Sequence, residues 1–182
     1  MNPNPQLLDH PFYQAWSHGA VTREQLARYA RSYAEFIAEM PAYWSRIGRS
    51  FGADTAKIVA EETVHIELWE KWPAELPVPA TYPRMTAVLE AFAAFTPSEL
   101  LGAVQAFEIQ QPGVARTKKD GLVAHYGVAE ADTRYFDEHL DEQAHIDFGR
   151  RLAEAKAEPA EFQRGFQHGA ELVYRSLDLF MD

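Results

Sequence analysis

The chain has 182 residues, 47% of them hydrophobic and 24% charged, with a formal net charge of −10 and no cysteine. That length fits one domain over residues 1–182 with a buried core, and the lack of cysteine excludes disulfides, zinc–thiolate sites and a thiol nucleophile. The acidic balance excludes a nucleic-acid or anionic-membrane partner, because the densest basic stretch, Arg116 to Lys119, sets three cations beside Asp120.

The first ten residues, through His10, are polar and proline-rich, unlike a secretory signal. No apolar run approaches the roughly 20 residues of a membrane span, so a cytoplasmic location is expected. Thr22 and Gln25 read as a capping box. Behind it Leu26, Tyr29, Ala30, Tyr33, Phe36 and Ile37 form one apolar helical face, which Pro41 should kink before the helix continues through Ile47. Asp54 can cap a second helix ending near Trp72, ahead of a loop with prolines at 73, 77, 79 and 83. A helical pattern resumes over Met85–Phe95. Thr96-Pro97-Ser98-Glu99 starts a further helix that should stop at Pro112-Gly113. Val114–Tyr126, Ala131–Ala157 and Pro159 to the end complete about seven helices, an all-α bundle.

A helical bundle holds a metal pair by turning carboxylates and imidazoles inward from several helices. Carboxylates and imidazole suit iron and manganese. Glu62 and His65 stand at i, i+3 among Ile58, Val59, Ile66 and Trp69, so both can reach one ion, with Glu61 as a competing ligand. Alone, this spacing is more often a surface ion pair. Glu108 falls four after Val104 and seven after Leu101, on their apolar stripe, where a carboxylate needs a metal or a cation. His139 follows Tyr135 by four, and Glu142-x-x-His145 repeats the earlier pair. Two Glu-x-x-His pairs on separate helices and one buried Glu favour a dinuclear site over packed or exposed side chains. His10, His18, His125 and His168 lack partners at ligand spacing and read as structural. No glycine-rich phosphate loop and no Gly-x-Ser-x-Gly elbow occurs.

The sequence resembles the haem-oxygenase-like diiron oxidases, in the branch of the chlamydial protein associating with death domains and its bacterial relatives. The residues that carry the likeness run through nearly the whole chain in order. They are His10-Pro11-Phe12-Tyr13 with Trp16 and Gly19, then Gln25-Leu26-x-x-Tyr29-Ala30-x-x-Tyr33, then His65-Ile66-Glu67-Leu68-Trp69. Phe107-Glu108 follows, with Lys118-x-x-Gly121-Leu122, Tyr135-Phe136 with His139, and Gly169-Ala170-Glu171-Leu172. The resemblance implies a seven-helix haem-oxygenase-like bundle, shared with thiaminase-type proteins and pyrroloquinoline-quinone synthases.

It also implies six ligands, Glu62, His65, Glu108, His139, Glu142 and His145, for two metal ions, iron with iron or manganese with iron, with Glu108 bridging. Dioxygen is the implied co-substrate, with an external reductant. Members of that branch make para-aminobenzoate for folate from one of their own tyrosines. Tyr13 matches the consumed residue, Tyr29 and Tyr135 match radical-relaying tyrosines, and Lys118 matches the supplier of the amino group; without the likeness, Tyr13 and Tyr29 read as core aromatics and Lys118 as a solvated lysine. The relatives often dimerise, which leaves a homodimer open.

Three departures stand out. The first Glu–His pair is closer in sequence than in that branch, which keeps Glu61 in competition with Glu62. The motif His139-x-x-Glu142-x-x-His145 is one residue short of the family's His-x-x-x-Asp-x-x-His. In an ideal helix this turns the first imidazole by about 100°, so a local irregularity is required or Gln143 or His139 leaves the shell. Phe107 stands where relatives often carry tyrosine. Alternative readings are a diiron oxidase of an external fatty or amino acid, and a non-enzymatic helical interaction module. A cofactorless oxidase would not need carboxylates at 62, 108 and 142, and a thiaminase would need a cysteine.

Overall fold

A computed structural model describes residues 2–181; Met1 and Asp182, the ends of the domain expected over 1–182, lie outside them. Among the described residues there is no strand, and nine α-helices follow one another with three 3₁₀ turns. They are α1 (Pro11–Ser17), α2 (Arg23–Phe51), α3 (Ala56–Trp69), α4 (Thr86–Ala94), α5 (Pro97–Glu108), α6 (Gln111–Tyr126), α7 (Arg134–Glu138), α8 (Gln143–Lys156) and α9 (Pro159–Ser176). No helix of the described residues is long and apolar enough to cross a membrane.

Local chemistry sets the boundaries. Thr22 and Gln25 form the capping box of α2, and Thr96 and Glu99 form that of α5. Pro41 is carried inside α2, which continues to Phe51 and stops at Gly52, whose φ of 59° is open to glycine at little cost. The Asp54 carboxylate accepts from the Ala56 N–H at the start of α3 (3.0 Å). Pro112 does not end the preceding helix as expected. It sits in the first turn of α6, where its missing N–H is not needed, and α5 ends earlier, at Glu108.

The predicted continuous helix over Ala131–Ala157 is not found. A 3₁₀ turn, the short α7 and the longer α8 replace it, with the chain leaving helical geometry over residues 139–142. This is the irregularity that the shortened histidine motif required. The extra elements relative to seven are this division and α1.

α5 is the central helix. Every residue from Leu100 to Glu108 is buried, which is possible because α9 lies directly against it. A Cβ on Gly165 would stand 2.0 Å from the Glu99 carbonyl oxygen, and one on Gly102 would stand 2.1 Å from that of Phe162. Alanine at either position would force the two helices apart. The long α2 covers another side with Tyr33, Phe36, Met40, Trp44 and Ile47, all buried, and α3, which follows after a short turn, packs against it. The C-terminal turn of α5 therefore points its last residue, Glu108, into the space between α2, α3 and α8.

Candidate metal centre

Three carboxylates and three imidazoles meet in that space. Glu62, His65, Glu108, His139, Glu142 and His145 are all buried, Glu108 to 1% exposure. They form two groups of close donor atoms, Glu62 with His65 and His139, and Glu62 with Glu108 and His145, each spanning no more than 4.8 Å. α3 supplies Glu62 and His65 one turn apart, and their side chains lie 3.4 Å from each other. The break after α7 lets His139 swing toward His65, with ring centroids 4.3 Å apart, while α8 presents His145. Glu142, in the break, spans both groups: one oxygen is 3.7 Å from His139 Nε2 and the other 3.1 Å from His145 Nδ1.

The arrangement differs from the expected one in two respects. The carboxylate common to both groups is Glu62 rather than Glu108, and His139 pairs with His65 rather than with His145. Glu61 does not displace Glu62. It lies outside, half-exposed, and accepts from His145 Nε2–H at 3.0 Å. That contact leaves Nδ1 of His145 facing Glu62 (3.6 Å) and Glu108 (4.0 Å). His139 is held in the same way: its Nδ1–H donates to the Tyr135 carbonyl at 2.6 Å, so Nε2 faces inward. A backbone or carboxylate acceptor behind a ring is the usual support for an imidazole ligand. The Trp44 indole N–H donates to Glu108 across 3.4 Å.

The electrostatics fit a cationic occupant. Burial, with the Glu62 and Glu142 carboxylates close by, pushes Glu108 well above the usual carboxylate range. Burial opposes charge on His145, but hydrogen bonding to Glu142, the Glu108 charge and the Glu61 contact outweigh it and lift its pKa to about 10. Burial pulls His139 below the usual histidine value. His145 Nδ1 is buried, with carboxylate oxygens of Glu142, Glu62 and Glu108 at 3.1, 3.6 and 4.0 Å around it. Three carboxylates buried in one cluster are costly without compensating positive charge, and a set of carboxylates and imidazoles is one that a metal ion can fill. A surface depression of about 480 Å³, lined by Lys57, Glu61, Val64, Arg134 and Glu138, has His65 at its floor.

Next to this cluster is a second buried group. Tyr13 of α1 and Tyr29 of α2 share a hydrogen bond between hydroxyls 3.0 Å apart, and Tyr29 stacks on Tyr33 with centroids 5.0 Å apart. Lys118 of α6 is not on the surface. It is 1% exposed, with its ammonium nitrogen 5.2 Å from the Tyr13 and Tyr29 ring centres and 4.8 Å from that of Tyr33. Burial lowers its pKa to about 7, and burial raises those of Tyr13, Tyr29, Tyr33 and Tyr135. Tyr135 lies over His139, with centroids 4.2 Å apart, at the border of the two groups.

Sequence reasoning missed Trp44, Tyr33 and Trp69 as parts of the site and read Glu61 only as a rival ligand. The usable signal for the tryptophans was that a buried indole N–H needs an acceptor. The four histidines set aside as structural stay outside the cluster; His10 caps α1 by accepting from the Phe12 N–H and contacts Asp178.

A family model described as iron-containing redox enzyme matches residues 24–178. A 4-aminobenzoate synthase of Chlamydia muridarum is 30% identical over 175 residues, covering 85% of this chain and 72% of that protein. One from Chlamydia trachomatis is 29% identical, covering 98% and 88%, and one from Nitrosomonas europaea is 27% identical, covering 94% and 84%.

Proposed function

This chain belongs to the family of iron-containing redox enzymes, and from that membership we propose that it is a dioxygen-dependent oxidase with a dinuclear metal centre that makes 4-aminobenzoate from its own Tyr13. The observation that carries the reading is the pairing of Tyr13 with Lys118. Both are sealed from solvent at 1% exposure, with the amine 5.2 Å from the phenol ring, beside a buried carboxylate–imidazole cluster. A tyrosine side chain already holds a para-substituted ring with one carbon attached, the skeleton of 4-aminobenzoate. An enclosed lysine supplies the nitrogen that this skeleton lacks.

Glu62, His65, Glu108, His139, Glu142 and His145 would hold the two ions, iron with iron or with manganese. Such a pair, when bound, would supply one-electron oxidising power drawn from dioxygen. The chain's own residues do the rest. Glu61 and the Tyr135 carbonyl fix the tautomers of His145 and His139, so that a lone pair of each ring faces inward. Trp44 donates to Glu108 and limits its movement. The aromatic shell of Phe12, Trp16, Tyr29, Tyr33 and Trp69 excludes water from Tyr13 and Lys118. In that dry setting a proton is held between the Tyr13 and Tyr29 hydroxyls, and an amine with a pKa of about 7 offers a free lone pair at neutral pH. The depression lined by His65 is the side from which an external reductant would reach the centre.

Tyr13→Phe is expected to abolish rescue of a para-aminobenzoate auxotroph while leaving metal content unchanged. Unimpaired rescue removes Tyr13 from the mechanism. A second reading, oxidation of an external small molecule such as a fatty or amino acid, is favoured by a largely apolar groove of about 650 Å³ between α5, α8 and α9, lined by Ile109, Ile146, Phe162 and Phe166. None of the six cluster residues lines it, which leaves this reading second. Turnover of an added substrate by Tyr13→Phe protein would promote it.

A further inference from the structure

A small molecule made from Tyr13 is formed in a closed chamber and has to leave it. The side chains around Tyr13 and Lys118, which are Phe12, Trp16, Tyr29, Tyr33 and Trp69, are all buried. One of these walls, Trp69, also lines a surface depression of about 260 Å³ between α2 and the segment that follows α3. On its inner side the Trp69 ring centre is 5.6 Å from the Lys118 amine, 5.6 Å from the ring of Tyr33 and 6.1 Å from that of Tyr29. Trp69 is the last residue of α3, and its indole N–H donates at 3.0 Å to the carbonyl of Ala30, which stands on the α2 wall of the same depression. At this point one aromatic side chain stands between Lys118 and the surface.

The depression suits a flat molecule with a charged group at one end and an amine at the other. Its α2 wall is made of Ala27, Ala30 and Ala34, side chains too short to fill it. Its lip, residues 76–79, belongs to a stretch without helix that is tied to α2 on both sides: Arg23 donates to the Glu75 carbonyl at 3.0 Å and Ser32 to that of Pro83. The volume is just under the roughly 300–1,000 Å³ of sites for drug-sized ligands, the scale of one substituted ring. Two charged side chains line it, Arg31 from α2 and Glu70 from the turn after Trp69. Among the described residues neither has an ion pair or a side-chain hydrogen bond. A guanidinium fork matches a carboxylate, and a carboxylate accepts from an aromatic amine. 4-Aminobenzoate carries those two groups at opposite ends of a single ring.

We propose that this depression is the exit site for the product. 4-Aminobenzoate leaves the Tyr13–Lys118 chamber past Trp69 and is held outside it, with its carboxylate on Arg31, its amine against Glu70 and its ring on Ala30, Ala34 and Trp69. The identity of the ligand rests on the function proposed above. Displacing Trp69 gives up one hydrogen bond, that to the Ala30 carbonyl, together with the ring contacts around it.

Calorimetric titration of 4-aminobenzoate into metal-loaded protein kept free of dioxygen tests the site without turnover. The expected result is one-to-one binding that weakens roughly tenfold or more in Arg31→Ala, the loss expected for charge-assisted hydrogen bonds, and disappears in Ala34→Leu, whose side chain fills the depression. Benzoate lacks the amine, so Glu70→Gln should weaken 4-aminobenzoate and leave benzoate unchanged. Melting temperatures of the three variants are recorded alongside. Release is then read in protein that has reacted with dioxygen, as the share of 4-aminobenzoate still on the chain after rapid desalting, relative to the total freed by acid. Ala34→Leu is expected to raise that share several-fold, and normalising to the total removes any difference in yield. Unchanged binding in Arg31→Ala, or a retained share in Ala34→Leu equal to that of wild type, overturns the exit site and leaves the proposed function standing. A loaded wild-type protein that consumes dioxygen and forms no 4-aminobenzoate overturns the proposed function, and the titration then decides the binding site by itself.

Discussion

His145 is held from behind by Glu61, whose carboxylate lies 3.0 Å from Nε2, and this contact turns Nδ1 toward Glu62, Glu108 and Glu142. Glu61 therefore orients a ligand instead of being one. Glu61→Ala is expected to lower metal affinity about 10–100-fold, the usual cost of losing such a support, while stoichiometry at saturating metal is kept. Competitive titration against a chelator of known affinity measures this. Loss of one ion at saturation would return Glu61 to the ligand set.

Metal removal should destabilise the fold. Ions held at about 100 times their dissociation constant add about 2.7 kcal/mol, which for a chain of this size is roughly a 5–10 °C rise in melting temperature. Glu108 makes the sign of a mutation depend on loading. It is fully buried beside the Glu62 and Glu142 carboxylates, which favour its protonated form when no metal is bound. Glu108→Leu should therefore stabilise the metal-free protein by on the order of 1 kcal/mol, against the loss of an acceptor for Trp44. The same variant should lose most of the metal-induced rise. Paired thermal melts with and without metal decide the point; a metal-free Glu108→Leu protein less stable than wild type would contradict it.

Much of this site was legible before any coordinates. The repeated Glu-x-x-His spacing and the placement of Glu108 on an apolar stripe mark the cluster, because helical geometry fixes which side chains share a face. What stayed hidden depends on departures from regular geometry or on tertiary contacts. The break over residues 139–142 moves His139 to His65 and makes Glu62 the shared carboxylate; ideal-helix reasoning can show that a break is needed but not where the ring goes. Lys118 looked like a surface lysine because its own helix is polar around it. Its burial is decided by Tyr13, Tyr29 and Tyr33, which arrive from α1 and α2.

That burial has a pH signature. Lys118 has a folded pKa of about 7 against an ordinary value of 10.5, so between these values the unfolded chain binds more protons and stability rises with pH. The cost of burying the lysine is full below pH 7 and gone above about 10.5, at roughly 1.4 kcal/mol for each tenfold change in proton affinity. His145 works oppositely: its raised pKa adds stability that is complete below 6.5 and lost as pH climbs through about 10. Wild-type stability alone would blend the two, so the difference between wild type and Lys118→Met is the informative quantity. In metal-free protein Lys118→Met should be the more stable form at pH 6, by several kcal/mol, and its advantage should shrink steadily toward pH 10. Denaturant unfolding across that range measures it; a pH-independent difference would mean that Lys118 is not held near neutrality.

Phe107 offers a gain-of-function check on the route of oxidation. It is nearly buried on α5, adjacent to Glu108, and its ring faces Tyr33 at 6.3 Å and Phe36 at 5.1 Å. Phe107→Tyr adds one oxygen to a packed core, at a cost of about 1–3 kcal/mol, and places an oxidisable ring between the cluster and Tyr33. In metal-loaded protein mixed with dioxygen, the added phenol is expected to raise the yield of tyrosyl radical read by electron paramagnetic resonance, despite the lower stability of the variant. A gain against the stability trend cannot come from improved packing. A Phe107→Tyr protein with no more radical than wild type would show that proximity to Tyr33 is insufficient.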